Sequence, residues 1–443
     1  MFEISTNKYT RGQTMDNYTF IVEGGHRLNG EIIPSGNKNE ALPVIAAALL
    51  TDEEVIIENI PDIQDTNIML NLARILGAEV KMIDDHTYSF KAAKLISENL
   101  AHESAAKIRA SLLFMGPLLA RTGKVSLPVT GGDKIGRRRV DTHILAFEKM
   151  GAEVTFGSEC VLNCSRLKGR YILLDEASVM ATENAVMAAV LASGTTTIYN
   201  AACEPHVQGL CNMLNSMGGR IKGIGTNLLT IKGVEKLHGC RHLIMPDHIE
   251  IGSFIGLAAA TRSRIVIKDA YSQHLDIILS AFERIGIIVK IKGKELHISD
   301  KQKLVVKDDF GGNIPVISDQ PWPCFPADLT SIMVASALFA RGTIVVHEKL
   351  FENRLFFTDA LIQMGGKIVL CDPHRVVING PSELRGVKLS SPDIRAGMAM
   401  LIAAMAAEGT STINNVIQID RGYEKIDERL NRIGAKITRI AAK

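Results

Sequence analysis

Hydrophobic positions along the chain fall into two kinds of helical segment that alternate. One kind is the more buried, is dominated by small residues, and in its first copy is apolar all round from Val44 to Leu50. It occurs as ALPVIAAALL (41–50), RASLLFMGPLLA (109–120), TENAVMAAVLA (182–192), GSFIGLAAA (252–260), LTSIMVASALFA (329–340) and RAGMAMLIAAMAA (395–407). A helix apolar all round must be buried. The second kind is amphipathic and ends on glycine: Gly77 in ARILGAEV, Gly151 in FEKMGAEV, Gly218 in LNSMGGRI, Gly286 in FERIGIIV, Gly365 in LIQMGGKI and Gly434 in LNRIGAKI. Glycine there reads as the left-handed residue that stops a helix and turns the chain into a strand. Each apolar helix is followed by a short turn and a β-branched strand, such as EEVIIENI, GTTTIYNA or GTIVVHE.

The pattern predicts six copies of one unit, roughly 70 residues apart: buried helix, strand, loop, amphipathic helix, strand, strand. Repeats this long favour closed globular domains over a thin solenoid. The fold class is therefore α/β, with two domains each of three βαβαββ-type units. Unit six lacks its final strands, and FIVEGGHRLNGEIIP (20–34) looks like those strands placed ahead of unit one. Residues 1–37 are accordingly expected to join 247–443 in one domain, with 38–246 forming the other and carrying a mobile loop at 129–141. The chain would cross between the halves twice, near Ser35–Asn37 and near Pro246-Asp247, which is a natural hinge.

Composition narrows the function. The 443 residues are 46% apolar and 22% charged, with only 5% aromatics and a net charge of +2. Scarce aromatics argue against nucleic-acid stacking platforms, and near-neutrality argues against bulk polyanion binding. Seven cysteines scattered along the chain read as reduced thiols, with Cys160 and Cys164 as core or loop residues. The first 18 residues are polar, Met15 offers an alternative start, and no apolar run reaches membrane-spanning length. A cytoplasmic protein without nucleic-acid or membrane partners is expected. Nothing in the pattern sets an oligomeric state.

Candidate chemistry gathers at one end of the units. In Pro34–Leu50 a polar turn leads into a buried helix that is expected to open just after Lys38-Asn39, with Pro43 in its first turn. Such a start suits an anion, although an ordinary capped core helix reads the same way. Recurrence tips the balance. At the other helix starts stand Arg109, Ser178 with Thr182, Asp247, Asp328, and Arg395 after Asp393. The loops after the first strands carry Asp65, Gly131–Asp141, Glu204, Glu352-Asn353-Arg354 and Asp420-Arg421. Taken singly, Asp328 reads as a helix cap, the 131–139 segment as a solvated basic loop, and each arginine as a surface charge. If the six units are alike in space, Lys38, Arg109, Arg138, Arg354, Arg395 and Arg421 surround one cleft. Guanidinium forks suit phosphate and carboxylate, so the implied ligand is small and multiply anionic. No P-loop, His-Glu-x-x-His or Gly-x-Ser-x-Gly pattern competes.

The segments SGNKNEALP, IRASLLFMGPL, GGDKIG with RRVDTH, FPADL, FENR, DIRAG and IDRGYEKIDERL resemble the enolpyruvyl transferase family, in its branch acting on UDP-N-acetylglucosamine. The resemblance spans residues 19 to 440. It implies an inside-out α/β barrel of two domains closing over phosphoenolpyruvate and UDP-N-acetylglucosamine, with no metal or organic cofactor. The sugar 3-hydroxyl adds across the enol double bond and phosphate is then eliminated, the first committed step of peptidoglycan synthesis; the alternatives are a paralogue acting on another UDP-sugar or phosphorylated alcohol and a catalytically inactive nucleotide-sugar-binding regulator. By the same resemblance Lys38, Asn39, Arg138, Arg354, Arg395 and Arg421 contact phosphoenolpyruvate. Arg109, Arg138, Arg139, Val140, Asp141, Thr142, Ser178, Val179, Asp328 and Leu350 contact the nucleotide sugar. Asp328 takes the hydroxyl proton, and Asp133 stands where a reactive cysteine is usual and would deliver a proton to the methylene carbon. Other departures are the extra Val129-Thr130, Arg139 in place of proline, and Met180 in place of glycine.

Overall fold

A computed structural model describes residues 18–96, 103–128, 139–156, 159–270 and 272–441. The expected stops are present: Gly77, Gly151, Gly218, Gly286, Gly365 and Gly434 all have φ between +83° and +109°. That is the left-handed region a side chain would resist. Among the described residues the strands form six small sheets, five of four strands and one of three. Unit three shows the plan. Its first strand, Thr195–Tyr199, pairs antiparallel with Leu228–Lys232 and parallel with Tyr171–Leu173, the strand ahead of the buried helix Val179–Ala189. The amphipathic helix Pro205–Ser216 makes the connection between Thr195–Tyr199 and the two closing strands.

Two hydrophobic cores result. One draws on residues 41–244, the other on residues 20–32 together with 249–437. The apolar helices fill their centres, and small residues let them approach. At Gly116 a Cβ would stand 2.7 Å from the Asn184 carbonyl oxygen, so the neighbouring helix backbone leaves no room for one.

The N-terminal strands both pair within the C-terminal half, but not as one block. Tyr18–Glu23 lies between Thr410–Asn414 and Ile437–Ala441, completing unit six. Asn29–Ile32 instead pairs parallel with Arg264–Ile267 of unit four, correcting the expectation that both strands belong to unit six. The reason is an exchange. Arg241–Leu243, which precedes the unit-four helix, pairs with Val55–Glu58 of unit one, so each crossing strand serves the half it is leaving. The crossings run side by side: Asn37 N donates to Met245 O at 2.7 Å and Asp247 N to Ser35 O at 2.9 Å. Among the described residues no helix is long and apolar enough to cross a membrane.

Two local expectations change. The first buried helix runs Lys38–Ala47, beginning at Lys38 because Asn37 caps it through a 3.2 Å bond from Glu40 N to Asn37 Oδ1. Pro43 therefore sits in the second turn, and lacking an N–H it leaves the Asn39 carbonyl without its i+4 donor. The 109–120 segment is not one α-helix but a 3₁₀ stretch Arg109–Phe114 followed by the helix Met115–Thr122.

Candidate active site

The starts of all six buried helical segments face one cavity of about 540 Å³ between the two cores. Lys38 and Asn39, Arg109, Ser178 and Val179, His248, Asp328, and Arg395 each come from a different one. Three starts carry a polar cap that fixes the backbone: Asn37, Asp247 and Asp393, the last accepting from Arg395 N and Ala396 N at 2.9 Å. The loops bring Arg354, Leu350 and Arg421 to the same wall.

Asp328 is the centre of the cationic side. It caps no helix; its Oδ2 accepts from Arg395 Nε at 3.1 Å and Nη2 at 3.0 Å, and its Oδ1 from Arg354 Nη2 at 3.2 Å. The side chain is 29% exposed, but to the cavity rather than to open surface. Removal from bulk water works to raise its pKa. The Arg395 and Arg354 guanidiniums outweigh that and hold the carboxyl far below the usual range. Arg395 lies over the Tyr423 ring at 5.4 Å and Arg354 over Phe351 at 5.0 Å, so both forks are fixed in orientation. In the same cavity Lys38 Nζ meets Asp65 Oδ2 at 2.8 Å, and Arg421 Nε meets Asp65 Oδ1 at 3.0 Å.

Of the residues expected from sequence, the cavity brings together Lys38, Asn39, Arg109, Arg139, Ser178, Val179, Asp328, Leu350, Arg354, Arg395 and Arg421. Val140, Asp141 and Thr142 do not line it; they form the start of the helix Asp141–Lys149, next to the lining residue Arg139. There Arg139 pairs with Asp141 at 3.0 Å and with Asp175 at 2.6 Å, Thr142 Oγ1 also donates to Asp175, and Arg109 Nη2 donates to the Arg139 carbonyl at 2.6 Å. Asp133 and Arg138 lie outside the described residues.

Several lining groups had no assigned role in the sequence. His206 and His248 stack across the two cores with centroids 6.3 Å apart, and Trp322 lies 6.0 Å from His248. Burial pushes both histidines down to about 3, so they present neutral rings. Glu183 and Glu204 also line the cavity, and burial raises both. Of these, only Glu204 stood among the loop residues expected from the sequence at this end of the units; the histidines, Glu183 and Trp322 belong to no pattern that repeats between units.

A six-unit α/β architecture with a cavity lined by basic side chains between two halves is that of an enolpyruvyl-transferase fold. The enolpyruvyl transferase NikO from Streptomyces tendae superposes with a TM-score of 0.85 at 23% identity, covering 97% of this chain and 100% of that one. EPSP synthase from Acinetobacter baumannii gives 0.73 at 18% identity, covering 96% and 100%. The family model for EPSP synthase (3-phosphoshikimate 1-carboxyvinyltransferase) matches residues 22–430. Closer in sequence are proteins called UDP-N-acetylglucosamine 1-carboxyvinyltransferase. That of Bradyrhizobium diazoefficiens is 54% identical over 421 residues, 95% of this chain and 98% of its own length. That of Treponema denticola is 54% identical over 420 residues, covering 95% and 99%. The chain belongs to the UDP-N-acetylglucosamine 1-carboxyvinyltransferase family.

Proposed function

We infer that this protein transfers the enolpyruvyl group of phosphoenolpyruvate to the 3-hydroxyl of UDP-N-acetylglucosamine and releases phosphate. The observation that carries the site assignment is the carboxylate Asp328 gripped by Arg354 and Arg395, in one cavity with Lys38 and Arg421 at six helix starts. In this reading Lys38, Asn39, Arg354, Arg395 and Arg421, with Arg138 from the loop, hold the phosphate and carboxylate of phosphoenolpyruvate. Arg109, Arg139, Ser178, Val179 and the Leu350 backbone hold the nucleotide sugar. Val140, Asp141 and Thr142 are assigned to the same sugar, at the start of the helix beside Arg139, with Asp141 paired to Arg139 directly. When the substrate anions engage the two guanidiniums, Asp328 is released to accept the proton of the sugar hydroxyl as its oxygen bonds to the enol carbon. Asp133 supplies the proton that the methylene carbon gains. Loss of a methyl proton with departure of phosphate then restores the double bond.

Residues 1–37 with 247–443, and residues 38–246, are proposed to act as two domains hinged at the paired crossings, packed as an inside-out α/β barrel. Cytoplasmic work in cell-wall synthesis follows from this reaction. Solution scattering should show a smaller radius of gyration with UDP-N-acetylglucosamine than without; an unchanged radius would remove the hinge. The function itself is tested by phosphate release from phosphoenolpyruvate with a panel of UDP-sugars. UDP-N-acetylglucosamine should be preferred. Preference for another sugar would point to Met180, which lines the cavity, as a specificity residue.

A further inference from the structure

Behind the arginine pair lie two carboxyls that the reaction leaves without a role. Strand Val316–Ser318 pairs parallel with Gly342–His347, with Ser318 opposite His347. One step beyond that register come Asp319 and Glu348, set side by side and fully buried. Between them they hold three consecutive backbone amides. Asp319 Oδ1 accepts from Lys349 N, and Glu348 Oε1 accepts from Leu350 N at 3.3 Å and Phe351 N at 3.1 Å. That loop carries Leu350 and Phe351 into the cavity wall. It also carries Arg354, whose Nε stands 3.6 Å from Glu348 Oε2.

Asp319 Oδ2 and Glu348 Oε2 accept no hydrogen bond of good geometry among the described residues; the two carboxyls are in contact, with the Thr330 hydroxyl and Arg354 Nε also beside Glu348. Adjacent buried carboxylates cannot both ionise cheaply, and each lone oxygen needs a donor; one proton between them answers both needs. We propose that Glu348 and Asp319 form a proton-sharing carboxyl pair that positions the 349–354 loop, and through it Arg354 and the Leu350–Phe351 edge, for the nucleotide sugar. They are positioning residues, and the assignment of the edge to the sugar rests on the function proposed above.

The charges around the pair agree. Burial pushes Glu348 up to about 9, against the pull of Arg354 and with the neighbouring Asp319 adding to the rise. Arg354 in turn faces Asp328, Glu348, Asp393 and Arg395. His374 Nδ1 lies 2.8 Å from the Glu348 carbonyl oxygen, and His347 and Lys349 flank the residue in sequence. Loss of the shared proton would add a second negative charge beside Arg354 and draw it from Asp328.

The test is the pH profile of kcat/KM for UDP-N-acetylglucosamine, paired with infrared difference spectra. The native enzyme should lose activity by about tenfold per pH unit above pH 9, the limb of a single deprotonation. Glu348→Gln keeps the amide bonds and donates to Asp319, so it should stay within about threefold of native at pH 7.5 and lose that limb. Glu348→Ala should raise KM by about tenfold with a smaller change in kcat. The native-minus-Glu348→Gln difference spectrum at neutral pH should show one protonated-carboxyl band, beyond any that the buried Glu183 and Glu204 contribute equally to both proteins. Superimposable alkaline limbs, an unchanged infrared band, or glutamine as damaging as alanine would each overturn the pair. Should Glu348→Ala fail to fold, the glutamine variant decides alone. An absence of enolpyruvyl transfer in the native protein would sink the function instead, and the infrared comparison would still judge the pair.

Discussion

Asp65 and Arg421 join the two halves of the molecule, with Asp65 Oδ1 accepting from Arg421 Nε at 3.0 Å. The same carboxylate holds Lys38 at 2.8 Å through its other oxygen, so one buried anion balances two cations assigned to phosphoenolpyruvate. Burial alone would raise Asp65, but Lys38 and Arg421 prevail and hold it below its ordinary value. Its contribution to stability is therefore present above the unfolded pKa and lost only as pH falls through the lower folded one.

Truncating this anion leaves two cations buried without their shared partner. Asp65→Ala should lose about 3 kcal/mol or more of stability, the scale for breaking a buried ion pair from one side. Inorganic phosphate should restore part of the loss by taking the carboxylate's place. Urea unfolding with and without phosphate measures both effects. Equal stability of variant and native protein would mean that Asp65 is not the counter-ion of the site.

Asp328 poses the opposite problem, because a base held by two guanidiniums is a poor base until they are drawn away. Asp328→Asn keeps the size and one acceptor but cannot take a proton. Turnover at saturating substrates should fall by roughly 10²-fold or more, the range for lost general-base catalysis. Since Asp328 caps no helix, a capping defect cannot account for such a loss. Near-native kcat in a folded variant would end its role as base.

The six units were legible because their signals are local: glycine stops, β-branched strands and helices apolar on every face. The convergence of Lys38, Arg109, Arg354, Arg395 and Arg421 was legible for a related reason, since a repeat sets equivalent positions at equivalent places. What escaped depends on contacts between units. The exchange of Asn29–Ile32 with Arg241–Leu243 couples short strands to partners far along the chain. The grip of two arginines on Asp328 and the stack of His206 on His248 have no local pattern at all. Pro43 misled because proline is most favoured in a first turn, yet the Asn37 cap places the helix start further upstream.

His143, His206 and His248 are buried and pushed down from 6.5 to about 3, chiefly by removal from water. Between those values the unfolded chain binds protons that the folded chain does not, so stability rises with pH across the window and falls on acidification. Each histidine can contribute up to about 1.4 kcal/mol per pH unit below its unfolded pKa. Urea midpoints should drop steadily from pH 7 to pH 4, and His143→Gln should lessen the slope. A flat profile over that range would mean that these rings are protonated in the folded state.

The final prediction concerns Asp133, which lies outside the described residues and is argued from its chemistry and the family resemblance. An aspartate is ordinarily ionised at neutral pH, so proton delivery to the methylene carbon requires its acidity to be weakened in the complex. Burial beside substrate phosphate and carboxylate acts in that direction, while Lys134 and Arg137 to Arg139 oppose it. Fosfomycin acts on this family by alkylating the loop cysteine, and a carboxylate is a far weaker nucleophile than a thiolate toward an epoxide. The enzyme should therefore be active and show no time-dependent inactivation by fosfomycin, whereas Asp133→Cys should become sensitive while keeping some activity. Cys324 is the control that matters, because it lines the cavity. Intact-mass and peptide analysis after incubation separates the cases. An adduct on Cys324 with parallel loss of activity in the native enzyme would show that a second thiol can take the place of the missing one, and would overturn the expectation of resistance.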